Sequence, residues 1–314
     1  MFLKNFLIGL LILILAILVA ALSFIFISNS GVGARELDND DLMLDWMARL
    51  DDETSLNEIY LPGTHDSGAL YSFLGVSGKC QSYTIEEQLA MGVRFFDIRL
   101  QLRDNKLAVV HSFVDQKLSF DEVLNNYRAF LDTNPTEFII VSIKQDADPE
   151  NSSIPFEDAV EDALNICLDS LLNPSTSLPS SIGEARGKVH IVARYSNASI
   201  GVPANNGWAD STSFELGSLY VQDYYAIDSI ESKMNDIAKA FDISKSKKHE
   251  LVLNFTSCYL TDALPPAHAP TSAKMINPQL LELIINGKAA PCVFISDFVT
   301  PELIQNIINE NFKK

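Results

Sequence analysis

From residue 57 onward, short runs of β-branched and bulky apolar residues alternate with longer amphipathic stretches, and this alternation narrows the possible folds more than any other feature. Strands are expected near 57–61, 93–101, 107–111, 137–144, 188–194, 218–223, 250–256 and 292–297. Helices are expected near 84–91, 119–131, 155–172, 228–241, 277–286 and 301–312. Arg103-Asp104-Asn105-Lys106 has turn composition, so the runs on either side of it read as a hairpin. The remaining alternation calls for a parallel sheet. Its length and strand number favour an α/β fold of the TIM-like (β/α) barrel type, irregular or incomplete, over an open doubly wound sheet.

Three of these runs deliver chemistry. His65 sits in Leu61-Pro62-Gly63-Thr64-His65-Asp66-Ser67, Arg99 in Val93-Arg94-Phe95-Phe96-Asp97-Ile98-Arg99, and His111 in Val109-Val110-His111-Ser112. Two imidazoles and a guanidinium at the mouth of such a barrel suit attack on a phosphodiester. One imidazole removes a proton, the other protonates the leaving oxygen, and the guanidinium neutralises charge on the phosphoryl oxygens. Histidine titrates near neutral pH, so a pair can hold opposite protonation states. A single His at a strand end is more often an ordinary core or surface residue. The chain has only five His, however, and two of them follow strands beside an Asp-Ile-Arg triplet.

Later strand ends carry polar groups as well: Lys144, Arg194, Asp223 with Tyr225, Asn254, and Asp297. One such residue marks a return to solvent, whereas five in succession would converge at the mouth of a barrel.

The order Pro-Gly-Thr-His-Asp-Ser, then Gly-Val-Arg-Phe-Phe-Asp-Ile-Arg, then Val-Val-His resembles the X region of phosphatidylinositol-specific phospholipase C, in particular its bacterial-type, single-domain members. The resemblance extends over roughly residues 45 to 312. It implies cleavage of phosphatidylinositol or a glycosylphosphatidylinositol to diacylglycerol and inositol 1,2-cyclic phosphate. By similarity, His65 is the general base, oriented by Asp297, and His111 is the general acid. Arg99 binds the phosphate, and Asp66 supports the Arg99 and His111 side. Lys144, Arg194 and Asp223 hydrogen-bond the inositol ring, and Tyr225 stacks beneath it. In calcium-dependent relatives a carboxylate stands where this chain has Arg99, so the resemblance implies no metal and no other cofactor. Ser112 departs from the pattern, since a glycine commonly follows the second histidine. Two other readings stand beside this one: a metal-dependent glycerophosphodiester phosphodiesterase on a similar barrel, and a non-catalytic domain that binds inositol headgroups.

Composition sets the surroundings. A net charge of -18 argues against nucleic acid and against a general electrostatic grip on anionic bilayers, so an anionic substrate needs a local basic pocket. No Gly-x-Gly-x-x-Gly or Walker motif follows a strand, and no cysteine spacing resembles a zinc site. Residues 6–27 form an almost unbroken apolar run, preceded by Lys4 and followed by Glu36, Asp38, Asp40 and Asp41. That pattern is long enough to span a bilayer and places the body outside. A signal anchor is favoured, with cleavage after Ala34 and secretion as the competing reading. The expected divisions are 1–34 for this segment, 35–56 for an acidic linker with a short amphipathic helix around Leu42 to Met47, and 57–314 for a monomeric catalytic barrel. Export permits disulfides, and Cys80 with Cys258 is the favoured pair, while Cys258 and Cys292 are expected at opposite ends of the sheet. The apolar loop 70–76 is the candidate for contact with the bilayer.

Overall fold

The computed structural model describes residues 2–29, 32–73, 77–168, 170–261 and 268–313. Its strands are β1 (Leu61–Thr64), β2 (Phe95–Arg103), β3 (Lys106–His111), β4 (Val114–Ser119), β5 (Ile139–Gln145), β6 (Val189–Arg194), β7 (Val202–Pro203), β8 (Ser213–Leu216), β9 (Leu219–Gln222), β10 (Ala226–Ile227), β11 (Leu251–Phe255), β12 (Tyr259–Leu260) and β13 (Val293–Ser296). Its helices are α1 (Phe2–Asn29), α2 (Ile85–Met91), α3 (Phe120–Thr133), α4 (Phe156–Asn165), α5 (Ile182–Ala185), α6 (Ile230–Lys245), α7 (Ala269–Ile285) and α8 (Pro301–Glu310).

One sheet runs β7-β6-β5-β2-β1-β13-β11-β9-β8, with β3 and β4 continuing off β2. Every pairing is parallel except those of β3, β4 and β8. The barrel is therefore TIM-like but incomplete: β1 and β13 close side by side, whereas among the described residues β7 and β8 remain unpaired edges. Continuous apolar runs make this possible, because strands covered on both faces need not alternate. Phe95, Phe96, Ile140, Ile143, Val192 and Leu253, drawn from both faces of the sheet, are all buried. Gly63 lets β1 approach β2, since a Cβ there would lie 2.9 Å from the Phe95 Cβ.

Several expected elements shift for identifiable reasons. The first strand starts four residues later than expected, at Leu61, because that is where pairing with β13 begins; the preceding Leu56–Glu58 forms a 3₁₀ turn. The helix expected over 155–172 stops at Asn165, since Leu172 turns to bridge Val189 at the start of β6. The last-but-one helix begins at Ala269 rather than 277 and passes through Pro278, with Pro270 in its first turn. The hairpin gains a third antiparallel strand, β4, so β3 and β4 (residues 106–119) form a flap that extends from β2.

The acidic lead-in does not form the expected amphipathic helix. It makes two short 3₁₀ turns, Asn39–Asp41 and Trp46–Arg49, and the second plugs the base of the barrel. There the fully buried Arg94 and Glu137 pair at 2.9 Å. Arg94 also donates to the Met43 and Leu44 carbonyls, and Glu137 accepts from the Met47 amide. These bonds satisfy two charges that burial would otherwise penalise heavily.

Candidate active site

The register of β1 and β13 sets Thr64 beside Ser296, so the next residues, His65 and Asp297, emerge together. His65 Nδ1 donates to Asp297 Oδ1 at 2.7 Å across a separation of 232 residues. Gln81 fixes both backbones by donating to the His65 carbonyl at 2.8 Å and the Ser296 carbonyl at 2.9 Å. Asn277, on α7, donates to the Asp297 carbonyl at 2.9 Å.

The second histidine reaches the site differently. Arg99 lies within β2 rather than at its end, opposite Lys144 of β5. β3 then returns antiparallel and carries His111 back toward the mouth. His111 Nδ1 lies 2.7 Å from Oδ2 of Asp66, which is fully buried. Burial pushes the His111 pKa down, but the hydrogen bond and charge of Asp66 outweigh it and the net shift is upward.

Arg99 joins the two pairs. Its NH2 lies 2.6 Å from His65 Nε2, and its Nε lies 3.2 Å from Asp97 and 3.9 Å from Asp66. Because a guanidinium only donates, His65 Nε2 must present a lone pair, and Asp297 takes the proton-bearing Nδ1. Burial opposes the charges of Arg99 and Asp97, yet each keeps the other ionised: the Arg99 pKa is held above its ordinary value and the Asp97 pKa below its own.

Each of the three residues His65, His111 and Asp297 is followed by a non-glycine residue in the left-handed region: Asp66 (φ 42°), Ser112 (φ 54°) and Phe298 (φ 47°). Such conformations cost energy and persist where surrounding structure fixes them. At position 112 this explains why a glycine would also serve.

Around this centre lies a cleft of about 890 Å³. Lys144, Arg194, Asp223 and Tyr225 all line it. Arg194 spans the unpaired side of the barrel, stacking 3.7 Å from the centre of Trp208, whose Nε1 donates to Asp223 at 3.0 Å. Lys144 pairs with Asp146 at 2.9 Å, and Tyr225 donates to Asp210. Asn254 is not part of the cleft. It points outward, donating to the Ile237 carbonyl on α6 and accepting from Gln222.

Sequence reasoning missed Asp146, Trp208 and Asp210. Asp146 accepts from the Ser112 amide at 2.6 Å and lies 3.6 Å from Arg99, so it ties the flap to the cation. The available signals were an acid two residues beyond Lys144 and one of only two tryptophans, set in the loop before β8.

The cysteines correct another expectation. All four are free and buried, and Cys80 does not bond Cys258. Cys80 Sγ instead faces His111 Nδ1 at 3.5 Å, while Cys258 packs into the apolar layer between β11 and α7. Cys80 completes two trios, with His65 and Asp297 and with Asp66 and His111, whose donor atoms lie within 4.8 Å of one another. Burial, with the charges of Asp297 and Asp66, raises the Cys80 thiol above its ordinary pKa, and the Arg99 guanidinium lies beside both trios.

Comparison with known proteins converges on one family. Residues 65–194 match the family described as "Phosphatidylinositol-specific phospholipase C, X domain". The chain is 29% identical over 295 residues to the 1-phosphatidylinositol phosphodiesterase of Staphylococcus aureus (strain Newman), covering 85% of this chain and 93% of that one. It is 27% identical over 276 residues to the enzyme of the same name from Listeria monocytogenes, covering 85% of this chain and 84% of that one. A solved variant of the phosphatidylinositol-specific phospholipase C from Staphylococcus aureus superposes with a TM-score of 0.76 at 27% identity, covering 86% of this chain and 98% of the other. The Listeria monocytogenes structure shares the fold, with a TM-score of 0.70 at 23% identity over 87% of this chain and all of that one. With two histidine–carboxylate pairs flanking a largely buried arginine in an incomplete barrel, the chain is thus similar over most of its length to bacterial phosphatidylinositol-specific phospholipases C.

Proposed function

We propose that this chain is a phospholipase C that cleaves phosphatidylinositol, or a glycosylated form of it, by intramolecular transfer. The observation that carries this reading is the pair of imidazoles held near Arg99, each with its Nδ1 2.7 Å from its own carboxylate. His65 Nε2 accepts the proton of the inositol 2-hydroxyl as that oxygen attacks phosphorus. His111 delivers its Nε2 proton to the diacylglycerol oxygen as the P–O bond breaks, giving inositol 1,2-cyclic phosphate. Substrate must first displace Arg99 from His65 Nε2, which moves the guanidinium onto the phosphoryl oxygens where charge is concentrated.

Lys144, Arg194 and Asp223 hold the ring hydroxyls, and the half-buried Tyr225 ring, which lies 5.9 Å from Tyr259, provides a platform beneath the inositol. Lys144 and Arg194 are each matched by a carboxylate, which leaves no surplus positive charge for a second or third phosphate. A metal-dependent phosphodiesterase would need a carboxylate cluster where Arg99 and Lys144 stand. A silent headgroup-binding domain would have no use for two histidines with separately fixed tautomers. The domain acts outside the cell, anchored by α1, which offers one span of 19 residues at Asn5–Ser23 with no part of it covered by protein.

Incubating the purified chain with phosphatidylinositol and following products by phosphorus NMR tests the reading. A cyclic phosphate signal is expected, with little from the 4,5-bisphosphorylated lipid. Equal turnover of both lipids, or a simple monoester as first product, would overturn it.

A further inference from the structure

The membrane-spanning helix and the mouth of the cleft sit on the same side of the domain. In a β/α fold the loop after a parallel strand lies at the end where the site forms, and residues 65–84 are that loop for β1. The chain leaving α1 enters the domain there. Ser82 donates to the Val32 carbonyl, and the Arg35 amide donates to the Tyr83 hydroxyl at 3.3 Å. Gly78, Lys79 and Cys80, just before this contact, form one wall of the cleft. The lead-in then descends beside α2, with the Met43 amide bonded to the Ala90 carbonyl at 2.8 Å, and reaches the base at Trp46.

Chain length leaves little freedom. From Ser23 to Asn29 a helix rises about 9 Å, and three further residues to Val32 reach at most about 11 Å. A domain of about 280 residues is roughly 48 Å across. A tether of about 20 Å cannot carry the lipid around to the opposite face. The surface beside the tether also suits a bilayer. Tyr71, Phe73 and Phe113 are exposed, Phe73 and Phe113 stack edge-on at 5.3 Å, and Lys117 lies 4.4 Å over the Tyr71 ring. Phe113 directly follows the His111–Ser112 pair. Aromatic rings with lysine are at home at the headgroup level, and a domain in a chain of net charge -18 gains nothing from general attraction to anionic lipid.

We infer that the cleft is docked face-down on the outer leaflet of the membrane that α1 spans, and that the enzyme draws its substrate from that leaflet in cis. The inference rests on the proposed phospholipase activity for its substrate, but its geometry stands on the tether.

Two measurements separate those parts. All four native cysteines are buried, so single Phe113→Cys and Lys248→Cys variants can carry a fluorophore selectively. Lys248 precedes β11 and therefore marks the base of the barrel. The full chain is reconstituted into phosphatidylcholine vesicles containing a rhodamine-labelled phosphatidylethanolamine. Energy transfer to lipid should be strong from position 113 and weak from 248; equal or reversed transfer would overturn the docking. Turnover is then compared with phosphatidylinositol in the same vesicles or only in added vesicles. Same-membrane turnover should exceed cross-vesicle turnover at least roughly 10-fold, and a long Gly/Ser insert between Ser30 and Gly31, within the tether, should lower that ratio. Equal turnover in the two arrangements would refute action in cis. The expected energy transfer without turnover in either arrangement would uphold the docking and overturn the phospholipase reading instead.

Discussion

Each histidine holds its Nδ1 2.7 Å from a carboxylate oxygen, but the two arrive by opposite routes and in opposite chemical settings. His65 meets Asp297 because the last strand closes beside the first, and its free nitrogen faces a guanidinium. His111 meets Asp66 because an antiparallel flap folds back from β2, and its burial is outweighed by the carboxylate. The first arrangement exposes a lone pair, while the second retains a proton. In the reading proposed above, His65 serves as base because Arg99 faces its Nε2, and His111 as acid because Asp66 outweighs burial and raises its pKa.

The strongest way to break this comparison is to remove each ring. His65→Gln and His111→Gln should each lower kcat by about 10²- to 10⁴-fold on phosphatidylinositol. On inositol p-nitrophenyl phosphate, whose leaving group needs no proton, His111→Gln should recover most of its loss and His65→Gln none. Recovery by both, or by neither, would show that the roles have been misassigned. Next in size is Asp297→Asn, expected to cost about 10²-fold in kcat with little change in fold or affinity. Combined with His65→Gln it should add almost nothing, because the pair acts as one unit. Multiplying losses in the double variant would dissolve the pair.

A smaller effect should follow from Asp66→Asn. A raised His111 pKa means that the folded state holds its proton to higher pH than the unfolded chain does. The resulting stability is present in full below the unfolded pKa and is lost as pH rises through the folded value. Removing the Asp66 charge should therefore bring the alkaline limb of the kcat/KM profile to lower pH and flatten that part of the stability curve. An unmoved alkaline limb would mean that another group is the acid.

How much of this was legible in the sequence follows from the range of the interactions. The β/α alternation was readable because buried parallel strands must be apolar throughout, and the positions of His65, Arg99 and His111 just within or after such runs survived in the structure. Asp297 could be joined to His65 only through the resemblance and the expected closure of the last strand beside the first, since no local pattern connects residues 232 apart. The flap was half legible. Its first turn has charged and amide residues, but β4 (Val-Asp-Gln-Lys-Leu-Ser) is too polar to announce a strand. Trp208 and Asp146 were hidden for a different reason: their importance lies in spanning a gap and tying a flap, and neither task leaves a periodic mark.

The smallest expected effect concerns metal. Chelator should leave turnover unchanged, and added calcium should not raise it. The region offers carboxylates enough to tempt a divalent ion, with Asp66, Asp97 and Asp146 all near Arg99. Their charges are already spoken for. Asp97 is bonded to Arg99 and, at 3.3 Å, to Arg194, and Asp146 to Lys144 at 2.9 Å. These neighbours more than offset burial and hold both acids ionised far below the ordinary carboxylate range. A divalent ion would have to displace a guanidinium that cannot lose its proton and would then sit beside it, a repulsion that grows as the site sheds water. The same argument marks the line between this chain and a metal-dependent phosphodiesterase on a similar barrel. Loss of activity with EDTA and its return with calcium would move the chain across that line, and Arg99 would then have to be read as a structural partner of Asp97 rather than the cation that meets the phosphate.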